Sequence, residues 1–181
     1  ALAYAGLGTA VFQKRADGRL TVAARWLLAP YLGAAWINSR LWTRRVPQPV
    51  PVMDGVWLGR IPDGALPPPL SGVVDACAEL SCRAPGAAYA SVPMLDLVVP
   101  TPEQLREAVE AIERLHAHGP LLVCCALGYS RSAASVATWL LRSGRAADAD
   151  AAAAIVRVAR PGIVLGAAHL HAITAAAGAR A

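Results

Sequence analysis

Cys125 and Arg131 bracket a short loop, Cys125-Ala126-Leu127-Gly128-Tyr129-Ser130-Arg131-Ser132. These residue types at this spacing suit the binding and attack of a phosphate. The continuous apolar run Leu121-Leu122-Val123-Cys124 ahead of it reads as a strand buried on both faces, and a helix is expected from about Arg131 to Arg142. In a compact turn between strand and helix, backbone N–H groups converge on an anion and the helix N-terminus adds its positive end. The same field favours thiolate over thiol, and thiolate is the nucleophile. Gly128 permits the tight backbone turn. The guanidinium of Arg131 offers the planar fork that phosphate oxygens fit. A bare cysteine and arginine at this spacing would be weak evidence, but here the strand, the helix, the glycine and the serines agree.

The elements that must hold this loop can be read along the chain. Val56-Trp57-Leu58-Gly59 is a short strand closed by glycine, residues 72–76 are a second and Tyr89 to Val92 a third. Three consecutive prolines make 62–70 a loop. Thr101-Pro102-Glu103-Gln104 starts a helix, with threonine as N-cap, proline in the first turn and Gln104 closing a capping box. Leu105, Val109, Ile112 and Leu115 repeat at helical spacing and Gly119 stops the helix. His116 and His118 fall in its last turn and are read as structural or solvent-facing. Alanine-rich helices are expected over 147–159 and 166–177. The alternation predicts an α/β fold with a central, mostly parallel sheet flanked by helices. In such sheets the ligand sits beyond the carboxyl ends of the strands, where the loop after Cys125 falls.

The stretch CALGYSRS resembles the signature of the cysteine-based protein tyrosine phosphatases, in their compact dual-specificity branch. The resemblance runs over about residues 50–178: Val56-Trp57-Leu58-Gly59 is similar to the branch's opening strand, and Arg160-Pro161 with Ile163 to the corner before its last helix. It implies Cys125 as nucleophile, Arg131 as the phosphoryl-binding arginine, and Ala126, Leu127, Gly128, Tyr129 and Ser130 as the phosphate-binding loop. It implies that Ser132 hydrogen-bonds the sulfur and that Asp96, before Pro100-Thr101-Pro102, is the general acid. No cofactor or metal is implied. One position departs from the family: the residue before the nucleophile is usually a histidine that orders the loop, and here it is Cys124. Cys77-Ala78-Glu79 is similar to a segment of phosphoinositide-phosphatase members whose cysteine pairs reversibly with the nucleophile. Cys77 is thus a candidate redox residue, against the plainer reading of a buried apolar thiol, and Cys124 is a second through a strained vicinal disulfide with Cys125. Asp75, inside an apolar strand, is read as structural, and Cys82 has no evident role. Inositol-lipid phosphatases of this superfamily place Lys or Arg at the variable loop positions. Their absence here points to a monophosphate, either phosphotyrosine in a phosphoprotein or a lipid head group.

The charge is as unevenly spread as the chemistry. The 181 residues are 56% hydrophobic and carry a net charge of +5, which excludes a disordered chain or a collagen-like repeat. Seven basic residues (Lys14, Arg15, Arg19, Arg25, Arg40, Arg44, Arg45) face one acid, Asp17, in residues 1–46, while the remainder holds ten basic and eleven acidic residues. Tyr4, Phe12, Trp26, Tyr31, Trp36 and Trp42 also lie in that first part. A uniformly basic nucleic-acid binder is excluded. Residues 1–12 are too few to span a bilayer, which needs about 20, although they fit the tail of a longer spanning helix. Residues 20–42 are apolar between two basic clusters, which suits a bent helix lying in the cytoplasmic face of a membrane. The plainer alternative is a helical pair packed on the main domain with tryptophan as core filler. The expected organisation is an apolar, basic, helical leader over 1–46 meeting anionic lipid, a proline-rich linker over 47–53, and a catalytic domain over 54–181. Four cysteines without C-x-x-C spacing suggest reduced thiols and no structural metal. Similar phosphatase domains occur in bacteria behind membrane-embedded PAP2 domains, an arrangement that a chain beginning at Ala1 would fit. Two other functions compete, a rhodanese-type sulfurtransferase and a non-catalytic phosphate-binding module.

Overall fold

The computed structural model describes residues 6–178; Tyr4 and the start of the apolar run 1–12 lie outside the described residues. A 3-10 turn at Gly8–Phe12 leads into helices α1 (Val22–Leu27) and α2 (Ala29–Trp42). Strands β1 (Val50–Met53), β2 (Val56–Arg60), β3 (Gly72–Cys77) and β4 (Ala88–Met94) follow, then α3 (Pro102–His116) and β5 (Leu121–Cys125). Helices α4 (Arg131–Arg142), α5 (Ala149–Ala159) and α6 (Ala167–Gly178) complete the chain.

The five strands form one sheet in the order β1-β2-β5-β3-β4, with only the β1–β2 pair antiparallel. β3 and β5 are buried at every residue, as strands flanked by sheet on both edges and packing on both faces must be. The sheet begins at Val50 rather than at the expected boundary of 54. Proline is tolerated there because β1 is an edge strand, where a missing N–H removes no interior ladder bond. The expected capping box of α3 is present: the Thr101 hydroxyl accepts from the Gln104 N–H, and the Gln104 side chain accepts from the Thr101 N–H.

The twofold alternation of the strands divides the core. Val56, Leu58, Val74, Val123 and Cys125 pack against α3 to α6 on one face. Val73, Cys77, Leu122 and Cys124 join Cys82 and Ala126 on the other. That second face is closed by loops and by the first part of the chain: Ala35 of α2 packs on it, and Phe12, Leu20 and Ala24 form an adjoining cluster with Ala78. Lys14 is drawn to the buried Asp75 of β3, 2.5 Å away, where the Tyr89 hydroxyl also donates to the carboxylate at 2.8 Å. The partner matters, since an unpaired buried carboxylate would be costly. Asp75 is structural, and its counter-ion comes from the leader.

Candidate active site

β5 delivers Cys125 to the carboxyl edge of the sheet, and the chain turns at once into α4. The turn closes only with glycine at 128, whose φ is +77° and whose hypothetical Cβ would lie 2.5 Å from the Gly59 backbone. The loop is therefore pressed onto the end of β2. Inside it the Ser132 hydroxyl and the Gly128 N–H each donate to Cys125 Sγ at 3.2 Å. Burial pushes the Cys125 thiol up, but Arg131, the Ser132 hydroxyl and the backbone N–H groups outweigh it and hold the thiol below its ordinary value. The loop thus stabilises the thiolate relative to an ordinary thiol.

Arg131 is buried and spread over three partners. Its Nη1 and Nη2 donate to the two carboxylate oxygens of Glu79 at 2.8 Å each, and Nη1 also donates to the Met94 carbonyl at 3.0 Å. Nη2 lies 3.0 Å from Asp96 Oδ1. Among the described residues Nε has no partner. Burial disfavours both charges of the Arg131–Glu79 pair, yet their mutual attraction prevails, raising the arginine well above and lowering the carboxyl below their usual values. The guanidinium is thus aimed by Glu79, with an N–H edge left for an oxyanion.

The loop is braced from below and from α6. Arg160, buried under the loop, donates to the Leu127 carbonyl at 3.0 Å and stacks on the Tyr129 ring, 4.7 Å from its centroid. The Val164 N–H donates to the Tyr129 carbonyl at 2.8 Å. His169 of α6 accepts from the Gly166 N–H at Nδ1, which leaves the proton on Nε2, 3.0 Å from the Ser130 hydroxyl. Burial lowers the His169 pKa and favours that neutral ring.

Cys125, Arg131, Ser132 and Asp96 come together as expected from the sequence, and Ala126 to Ser130 form the loop between them. Cys124 does not face the site. It points to the opposite side of the sheet beside Cys82, where burial, that neighbour and Asp75 push its thiol well above the usual value. Cys77 lies in the same cluster, its thiol raised chiefly by burial, while Cys125 packs on the other face. All four cysteines are free. Several residues of the site escape sequence reasoning. Glu79 and His169 sit in segments with no local mark of their partners, 52 and 39 residues away from them. Asn38 and Trp42, from the leader, line the cleft over Cys125 together with Asp96, Leu97, Tyr129 and His169. The helix carrying them is pinned to the loop, because the buried Ser39 hydroxyl donates to the Ala126 carbonyl at 2.5 Å.

The family model of the dual specificity phosphatase catalytic domain matches residues 72–177. No curated protein matches the chain by sequence. Among solved structures, a variant of human DUSP28 superposes with a TM-score of 0.63 at 24% identity, over 74% of this chain and 96% of that one. PTPMT1 gives 0.60 at 20% identity, over 72% and 94%. Tk-PTP in its active form gives 0.61 at 23%, over 75% and 99%. At these identities the structural likeness is one of fold.

Proposed function

The chain belongs to the dual specificity phosphatase family and is a cysteine-dependent phosphatase; from that premise we propose that it hydrolyses monophosphate esters through a phosphocysteine intermediate, at the cytoplasmic face of a membrane. The observation that carries the mechanism is the meeting of Cys125, Arg131 and Asp96 in one cleft. The Cys125 sulfur is held by two donors at 3.2 Å, and Arg131 and Asp96 stand 3.0 Å apart beside it. A phosphoryl group entering the loop takes the Nε–H and Nη2–H edge of Arg131 and displaces Asp96 from Nη2. The Cys125 thiolate attacks phosphorus, the bond to the leaving oxygen breaks, and Asp96 gives that oxygen its proton. The Asp96 carboxylate then takes a proton from water, whose oxygen attacks the phosphocysteine. The sulfur–phosphorus bond breaks, with the Ser132 hydroxyl stabilising the returning thiolate, and inorganic phosphate leaves. A sulfurtransferase has no use for an acid at Asp96.

The substrate is a monophosphate, because Ala126, Leu127, Tyr129 and Ser130 bring no cation for further phosphates. PTPMT1, which shares the fold, has been solved in complex with PI(5)P. The membrane part of the reading is supported by exposed Trp26, Leu27, Trp36 and Leu41 on α1 and α2 beside the leader's basic residues. No helix among the described residues is long and apolar enough to cross a membrane.

Phosphate release from p-nitrophenyl phosphate tests the chemistry. Cys125→Ser should fall to background, and Asp96→Ala should lose roughly 10²–10⁴-fold in turnover, the usual worth of a general acid. Wild-type release no faster than that of Cys125→Ser sinks the proposal. Sedimentation of the full chain with phosphatidylserine vesicles, weakening as salt rises, tests the placement; no sedimentation at low salt refutes it.

A further inference from the structure

The cleft over Cys125 encloses about 740 Å³ and its floor and rim differ in chemistry. The floor is the polar phosphate loop with Arg131 and Asp96. The rim is apolar and open to water: Leu97 is 95% exposed, Trp42 70% and Val164 63%. Three separate parts of the chain supply these residues, namely the acid loop, α2 and the turn before α6. A space of this size exceeds what a phosphate alone requires, and it falls within the range of pockets that bury a whole small ligand.

Two further observations say what kind of group the rim meets. Leu97 follows the general acid directly and holds a left-handed backbone, φ +59°, which a leucine rarely adopts. Strain of this kind gathers at functional sites. Here it turns a large apolar side chain away from the protein. The second observation is α2, whose position is not that of a loose tether. Ser39 is bonded to the Ala126 carbonyl, Thr43 accepts from Arg60 at 2.9 Å, and Arg40 reaches the Ile61 carbonyl and Asp63. Trp42 is thereby fixed at the mouth of the cleft. Trp36, Ile37 and Leu41 of the same helix are also exposed, and the exposed Arg44 and Arg45 follow it in the chain. Tryptophan beside arginine at an apolar surface fits the boundary of an anionic bilayer.

Resting on the phosphatase reading above, we propose that α2 and Leu97 form an apolar collar that selects a phosphate monoester carried on acyl chains, a lipid phosphomonoester drawn from an anionic membrane, with Trp42 as the specificity residue. The head-group phosphate reaches Cys125 while the first part of the acyl chains lies against Trp42, Leu97 and Val164. The leader is then part of the substrate site as well as a means of attachment.

The test compares kcat/KM on dihexanoyl phosphatidic acid, kept below its micelle-forming concentration, with kcat/KM on glycerol 3-phosphate and on a phosphotyrosine peptide. The full chain should prefer the dihexanoyl lipid to glycerol 3-phosphate by at least about 100-fold, and prefer it to the peptide. Trp42→Ala and Leu97→Ser, both at exposed positions, should each lower the ratio of lipid to glycerol 3-phosphate turnover about ten-fold. An unchanged ratio in both variants, or a wild-type preference for the peptide, overturns the collar. Failure of the phosphatase reading looks different, because no substrate, p-nitrophenyl phosphate included, is then turned over faster than by Cys125→Ser.

Discussion

Cys125 is a buried thiol, and burial alone would keep it protonated and inert. Arg131, the Ser132 hydroxyl and the loop N–H groups outweigh burial and hold the thiol below its ordinary value. Each acts at short range on one sulfur, so the balance can be moved by a single side chain. In wild type, the pH midpoint for alkylation of Cys125 by iodoacetamide, read by mass spectrometry, should lie below the free-thiol value of about 8.5. Below that midpoint the thiol is protonated and alkylation falls; above it alkylation levels off. In Ser132→Ala a hydrogen bond to the charged form is lost, so the midpoint should move up. A wild-type midpoint at or above the free-thiol value would mean that desolvation wins. The same accounting separates Cys124 from its neighbour. It is next in the chain, yet strand alternation sends it to an apolar face where the thiol is pushed up.

The phosphate loop as an element owes its shape to what lies around it. Gly128 meets the end of β2, Arg160 takes the Leu127 carbonyl from below, and Ser39 of α2 takes the Ala126 carbonyl. Gly128→Ala is expected to force the loop off β2, because its new methyl would stand 2.5 Å from backbone that cannot yield. A displacement of about 1 Å can cost on the order of 10²-fold in rate, so kcat/KM on p-nitrophenyl phosphate should fall by at least that much. Far-ultraviolet circular dichroism should remain that of the folded protein. A variant within two-fold of wild type would show that the loop is not held by this contact. Ser130 adds a bond to His169 of α6, so the last helix also helps to set the loop, in a chain whose Cys124 replaces the histidine expected from the family resemblance.

At the scale of the whole molecule, the leader and the phosphatase domain share interior. Lys14 and Asp75 have side chains 2% and 0% exposed, and the pair joins the first part of the chain to the second-to-last strand of the sheet order, β3. Burial opposes the charge on Lys14, but Asp75 outweighs it and raises the ammonium pKa. Lys14→Met should leave Asp75 with the Tyr89 hydroxyl and the Cys77 N–H but no counter-ion. Breaking such a pair costs about 3–5 kcal/mol, read as a lower urea midpoint in a single unfolding transition. If the leader were an independent tether, the midpoint of the phosphatase domain would not move.

Much of this protein follows from short-range pattern. The strand-loop-helix around Cys125, the capping box at Thr101 and the continuous apolar strands are written in residues a few positions apart, because hydrogen-bond geometry and hydrophobic period act over that distance. Resemblance added Asp96, which lines the cleft, and Ser132, whose hydroxyl donates to the Cys125 sulfur behind it. The proline-rich stretch has the composition of a linker, yet part of it is the edge strand β1, since only the assembled sheet reveals which strand has an open edge. Glu79 behind Arg131, His169 beside Ser130 and the leader's Asn38 and Trp42 at the cleft were not legible at all. Each joins segments far apart in sequence, and nothing in the local residue types marks a partner that packing supplies. The sequence alone determined the loop from Cys125 to Arg131 and the strand and helix that bracket it. Tertiary structure alone decided what aims the arginine and what surrounds the phosphate, because long-range contacts exist only once the layers have packed.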